Sequence, residues 1–214
     1  GTPERKIQTT NIRWRQGIGN IFLVYSRADR FDREWGMLAF IHYRNRIADL
    51  TTMWMSLENV VGCFAAMSPN VDEANNFLAL ERLLDGYPDH RIPGYNQNIQ
   101  TARRILAGED PRVALTGKKV RSFFECIMNP ETTDWIVIDY HMYSVWKLQR
   151  HFAKSGVHIS AKEYDEIATD FKAVAKTLEL FPSQLQAICW STWKRIHNIV
   201  FDSQLSMKFG HEDR

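Results

Sequence analysis

Apolar side chains recur along this chain three and four residues apart, and no series of alternating apolar and polar residues builds up. Residues so spaced share one face of a helix, whereas a half-buried strand needs a period of two. The spacing predicts a helix over 35–46 that runs into Ile47-Ala48-Asp49-Leu50. A second covers 57–67, where Val60, Val61, Phe64 and Ala65 form one stripe, and Pro69 ends it because proline lacks an N–H and disfavours helical geometry in its predecessor. A third follows over 72–84 and stops at Asp85-Gly86.

Shorter elements come next. A helix over 96–107 has Gly108 as its left-handed terminator, and Asp110 caps a short helix from Pro111 to Leu115. After the turn Thr116-Gly117, a helix over 118–128 ends at Asn129-Pro130. Asp139 heads a helix reaching about residue 152, and Ser160 with Glu163 makes a capping box for one reaching about residue 180. Phe181-Pro182-Ser183 breaks that helix, and Ser183 caps a last one over about 184–201. Residues 135–138 are the only strand-like run. The expected fold is all-α, with roughly nine or ten helices and no internal repeat.

A chain of 214 residues can bury a sizeable core in one domain. Its 27 Lys and Arg against 25 Asp and Glu leave a net charge of +2, which excludes a polybasic tail or an acidic solvating protein. No apolar run approaches the roughly 20 residues that span a membrane, and the start at Gly1-Thr2-Pro3-Glu4 has no signal-peptide pattern. Cys63, Cys126 and Cys189 have no metal-ligand spacing, nor do His42, His90, His151 and His158. The expectation is a soluble cytoplasmic monomer with no membrane partner, no metal and no cofactor.

The near-neutral sum conceals an uneven distribution. Residues 91–125 hold Arg91, Arg103, Arg104, Arg112, Lys118, Lys119 and Arg121 against Glu109, Asp110 and Glu125, a local net of +4. Lys118, Lys119 and Arg121 follow the Thr116-Gly117 turn where a helix begins, and the first N–H groups of a helix have no internal partner. Such a corner can clamp phosphate, or it can be an ordinary solvated basic face. Asp139, after an apolar run and before Tyr140-His141, is either a partly desolvated carboxylate or a simple helix cap.

Leu115-Thr116-Gly117-Lys118-Lys119-Val120-Arg121, followed by Ile136-Val137-Ile138-Asp139-Tyr140-His141, resembles the helix-hairpin-helix DNA glycosylase superfamily. That family pairs a hairpin of the form L-P-G-x-G-x-K-x-A with a downstream V-D-T-H-V element. The segment VVGCFAAMSPNVDEANNFLALERLL resembles its early helix pair, and the helix over 96–106 resembles the one before its hairpin. The likeness covers about residues 57–146, while QLQAICWSTWKR near the end resembles small phage and bacterial members. This hairpin has one glycine and is a residue shorter, Tyr140 stands where the family has Thr, and the four-cysteine iron–sulfur cluster is absent.

The resemblance implies one glycosylase-like domain over 1–214, with an inner lobe of about 48–152 and an outer lobe of about 1–47 plus 153–214. It implies Asp139 as the catalytic carboxylate and Lys119 as a Schiff-base nucleophile, or else as a phosphate-binding side chain. Thr116, Gly117, Lys118, Val120 and Arg121 would hold DNA phosphates, and Asn70 would wedge into the duplex. Tyr140, His141, Trp190 and Trp193 would line a base pocket, the two tryptophans sharing a helix face with His197. The implied partner is double-stranded DNA carrying a damaged or modified base, such as a bulky modified pyrimidine of phage DNA. Two alternatives stay open: a phage-type base-modifying enzyme on the same fold, and a non-catalytic DNA-binding or partner-binding helical module.

Overall fold

A computed structural model describes residues 16–151 and 158–199. The expected helix ends near 152 and 201, and the outer-lobe residues 1–15, 153–157 and 200–214, lie outside them. Among the described residues the fold is all-helical. Its elements are α1 (Gln16–Ser26), α2 (Arg30–Leu50), α3 (Leu57–Met67), α4 (Glu73–Leu84) and α5 (Asn96–Leu106). A single 3-10 turn, Asp89–Arg91, separates α4 from α5. The chain continues as α6 (Pro111–Ala114), α7 (Lys118–Met128), α8 (Tyr140–Lys147), α9 (Ala161–Thr177) and α10 (Pro182–Ile196).

Two groups of helices share a spine. Helix α3 packs on α4, α5, α6 and α7, while α1, α8 and α9 pack against one another and against α10. Helix α2 touches α3 and α7 and lies along α10, so it joins the groups. The expected inner lobe thus contains α3–α7, but α8, inside the same span, packs on α1, α9 and α10. The Asp139 helix therefore belongs by contact to the terminal helices. At the junction Tyr43, Phe64, Phe77 and Phe123 meet from four helices, with Phe64 and Phe77 centroids 4.6 Å apart and Tyr43 and Phe123 at 5.6 Å. Each such side chain stabilises the fold by about 1.5–3 kcal/mol through removal from water, so the seam between the groups is strongly held.

The spine is fixed by one buried carboxylate. Asp32 of α2 accepts from the Ser191 hydroxyl at 2.7 Å and from the Arg195 guanidinium at 2.8 and 3.0 Å. Burial alone would raise its pKa, but Arg195, Ser191 and the Asp29 N–H outweigh burial and hold it below the ordinary carboxylate value. Asp29 and Asp32 also close a capping box, which starts α2 five residues before the expected position 35.

Other elements depart from the sequence expectation for local reasons. Helix α1 was not expected; Gly17 and Gly19 weaken its helical pattern. Gly17 has a packing role, since a Cβ there would lie 2.0 Å from the Trp146 indole of α8. Helix α8 stops at Lys147, short of 152, because Leu148 turns left-handed at φ 52° and the Gln149 N–H closes on the Ser144 carbonyl. Ser183 does not cap α10. Pro182 occupies the first helical position, the Gln184 side chain accepts from the Phe181 N–H at 3.0 Å, and the Ser183 hydroxyl donates to the Pro130 carbonyl at 2.9 Å. Residues 135–138 form no strand. The Tyr164 hydroxyl accepts from the Ile138 N–H at 3.2 Å and lies 3.0 Å from the Ile136 carbonyl, so one side chain of α9 satisfies backbone groups that a sheet partner would otherwise serve.

Candidate functional site

Tyr164 sets the position of Asp139 by pinning the run that precedes it. The Asp139 side chain is 4% exposed and accepts from the Met142 N–H at 2.9 Å as the N-cap of α8. Lys119 lies in the first turn of α7. Burial of its amine lowers its pKa below the ordinary lysine value, and the Asp139 carboxylate opposes that shift. Sequence reasoning paired these residues across 20 positions, and the Asp139 carboxylate acts electrostatically on the Lys119 amine.

The aromatic candidates also converge. Tyr140 and His141 ring centroids are 4.1 Å apart, and His141 meets Trp190 of α10 edge to face at 6.0 Å. Trp190 stacks on Trp35 of α2 at 5.4 Å and carries the Lys194 amine 4.2 Å from its ring centre. Trp193 is buried against His197 rather than in this stack, with centroids 4.1 Å apart. Trp35 and Gln186 gave no sequence signal, because an aromatic or an amide on a helical stripe reads as ordinary core or surface. Both are buried. Among the described residues, the indole N–H groups of Trp35, Trp190 and Trp193 and both ends of the Gln186 amide have no hydrogen-bond partner. Buried polar groups are nearly always satisfied, so the unpartnered indole N–H groups of Trp35 and Trp190 set apart the stack that reaches His141 of α8.

The hairpin is arranged differently from a free phosphate clamp. Lys118 donates to both oxygens of Asp165 on α9 at 2.7 and 2.8 Å. Arg121 binds Glu125 at 3.0 Å and the Arg112 carbonyl at 2.9 Å, while Arg112 pairs with Glu58 and with Glu125. Arg103 pairs with Asp89 at 2.6 Å and Arg104 with Glu109 at 2.8 Å. Glu58, Asp89 and Asp165 come from outside residues 91–125, so the local excess of +4 falls to +1 once its partners are included. Thr116 and Gly117 are exposed and Val120 half-buried, and the α7 start carries no side-chain cap. A cavity of about 320 Å³ opens between this start, residues 134–136 and α9, with Lys118, Arg121, Trp135, Tyr164, Asp165 and Lys172 in its wall. Asp139 and Lys119 are not in that wall. Asn70 is exposed at the α3–α4 turn with φ 59°, a left-handed geometry that asparagine tolerates well.

The three cysteines are buried thiols, with burial pushing Cys63 up to about 12 and Cys126 and Cys189 higher still. No group of His, Cys, Asp and Glu among the described residues could hold a metal, and no described helix is long and apolar enough to cross a membrane. Residues 4–197 match the model of a family of unknown function, DUF7178. The chain belongs to that family. No curated protein and no solved structure matches it. The match runs from before α1 to the end of α10, so in this DUF7178 chain the spine, the hairpin and the Asp139 region all fall within the family's own extent.

Proposed function

We propose that this chain is a DNA glycosylase that rotates a damaged or modified base out of the duplex and cleaves its N-glycosidic bond. The observation that carries the reading is the pairing of a buried carboxylate, Asp139, with the half-buried Lys119, whose amine pKa burial lowers and Asp139 raises. As the glycosidic bond breaks, positive charge develops on the sugar, and a desolvated carboxylate stabilises it far better than it could in water. A lysine with a lowered pKa has the lone pair needed for attack at C1′. The amine bonds to C1′, the C1′–N bond breaks, and the base leaves with the electron pair and takes up a proton. Ring opening then yields an imine between Lys119 and the sugar. His141, Tyr140, Trp190 and Trp35 supply aromatic surface for the extruded base.

The direct test is release of free base from duplexes carrying normal, damaged and phage-modified bases. Release from at least one supports the reading, and silence across the panel ends it. Borohydride with a responsive duplex is expected to trap a covalent protein–DNA adduct that Lys119→Gln loses. Base release without any trapped adduct would instead assign the attack to water activated by Asp139. One observation favours a second reading, a helical module in which Asp139 is only a cap: its bond to the Met142 N–H. A base-modifying enzyme on the same site would be recognised by a new base mass in intact DNA rather than by release.

The ion pairs make a further prediction. If Lys118 contacts a phosphate, Asp165 competes with DNA for it across a pair that is half exposed. Asp165→Asn is expected to tighten duplex binding about threefold, since exposed pairs are worth about 0–1 kcal/mol. The plot of log affinity against log salt should steepen by about 0.9, the contribution of one further neutralised phosphate. An unchanged slope would remove Lys118 from the interface.

A further inference from the structure

A second set of unpartnered groups lies on α4. Glu73 and Asn76 are 6% and 3% exposed and sit one helical turn apart on the same face. Among the described residues, Oε2 of Glu73 and Oδ1 of Asn76 have no hydrogen-bond donor. Both orphans are acceptors. The other carboxylate oxygen of Glu73 meets Arg46 of α2 only at 3.7 Å, and the Arg46 guanidinium sits 3.7 Å above the Phe77 ring instead of forking onto the carboxylate. Glu73 also lies in the field of Lys194, the residue that covers Trp190, which ties this pair to the aromatic stack. A fold gains nothing from burying two acceptors without donors, because each has given up its bonds to water without a replacement.

We propose that Glu73 and Asn76 form a recognition subsite for the hydrogen-bond donors of an amino-bearing base, favouring such a base over a thymine- or uracil-type one. This rests on reading the stack beside Asp139 as a base pocket. An exocyclic amino group brings two N–H donors, whereas thymine presents a single N–H between two carbonyl oxygens that would face these acceptors. Burial pushes the Glu73 carboxyl up to about 7, with Arg46 and Lys194 pulling it down and Asp72 pushing it up; Tyr43 is a further titratable neighbour. The acceptor is therefore completed by deprotonation near neutrality.

The test compares binding of two duplexes, one with a single unpaired cytosine and one with a single unpaired thymine. Wild-type protein is expected to prefer the cytosine duplex about tenfold, in line with one well-placed polar contact, and the preference should grow from about pH 6 to about pH 8. Glu73→Leu and Asn76→Leu should each bring the ratio close to one while raising the melting temperature, because each removes an orphaned buried acceptor. A structural role predicts the opposite pair of results: a lower melting temperature and an unchanged ratio. Equal binding of both duplexes by wild type overturns the subsite alone. Failure to bind either duplex overturns the base-pocket reading and the subsite with it.

Discussion

Asp139→Asn is expected to lower the rate of base release by at least about a thousandfold while leaving the fold and DNA affinity nearly unchanged. The separation of effects follows from the two jobs the side chain does. As an N-cap it accepts one bond, from the Met142 N–H, and an asparagine oxygen can accept the same bond. The cost to stability should therefore stay within about 1 kcal/mol. As a carboxylate it supplies a full negative charge opposite a forming cation, and an amide supplies none. The variant also removes the opposing field that Asp139 exerts on Lys119, so the amine should become still less basic. Single-turnover release of base, together with a melting curve and an equilibrium binding curve on the same preparation, reads all three quantities. Loss of release with intact melting and binding is the expected pattern. A variant that releases base at the wild-type rate would reduce Asp139 to a cap, and a variant that fails to melt cooperatively would assign it a structural task instead.

What could be read beforehand divides along physical lines. Helices α3 to α7 were legible because they have local stop signals: Pro69, Gly108, Pro111, the Thr116-Gly117 turn and Pro130 each act within a residue or two of their own position. Asp139 and the Ser160–Glu163 box were legible for the same reason, since capping is a contact between neighbours in sequence. Helix α1 was not, because its glycines make sense only once Trp146, more than a hundred residues later, is seen against Gly17. The ends of α8 and α10 depend on left-handed Leu148 and on a hydroxyl reaching back to Pro130, neither of which a local pattern signals.

The candidate site shows the same division. Lys119 and Asp139 could be paired by spacing and resemblance, but neither signals that Lys119 is half-buried while its neighbour Lys118 is exposed. The basic excess over residues 91–125 suggested an open phosphate face, yet Glu58, Asp89 and Asp165 close on it from other elements. Trp35, Gln186, Glu73 and Asn76 were invisible as a group, because an unsatisfied atom is defined by what fails to surround it.

The largest expected effect on stability lies on the spine, at Gly36. There the α2 backbone approaches α10 so closely that a Cβ would stand 2.3 Å from Ile188 Cγ1, 2.6 Å from the Ile188 nitrogen and 2.8 Å from its Cα. The side-chain carbon could rotate away, but the two backbone atoms belong to a helix held by Asp32 at one end and by the Ser183–Pro130 bond near the other. Gly36→Ala must therefore push α2 off α10 or shift Ile188 within a close-packed core, and overpacking of this kind costs about 3 kcal/mol. An alanine in a helix interior normally gains about 1 kcal/mol over glycine, so the clash has to overcome that gain as well. Gly19, in α1, supplies the control, since a Cβ there meets nothing within 4 Å. Gly19→Ala should raise stability by about 0.5–1 kcal/mol, while Gly36→Ala, at a net cost of about 2 kcal/mol, lowers the melting temperature by roughly 6 °C. Because α2 also touches α3 and α7, the displacement at Gly36 should reach Trp35 and its stack on Trp190. A Gly36→Ala protein that melts with the wild type would mean that α2 and α10 are not in register as described, and the aromatic stack beside Asp139 would lose its support.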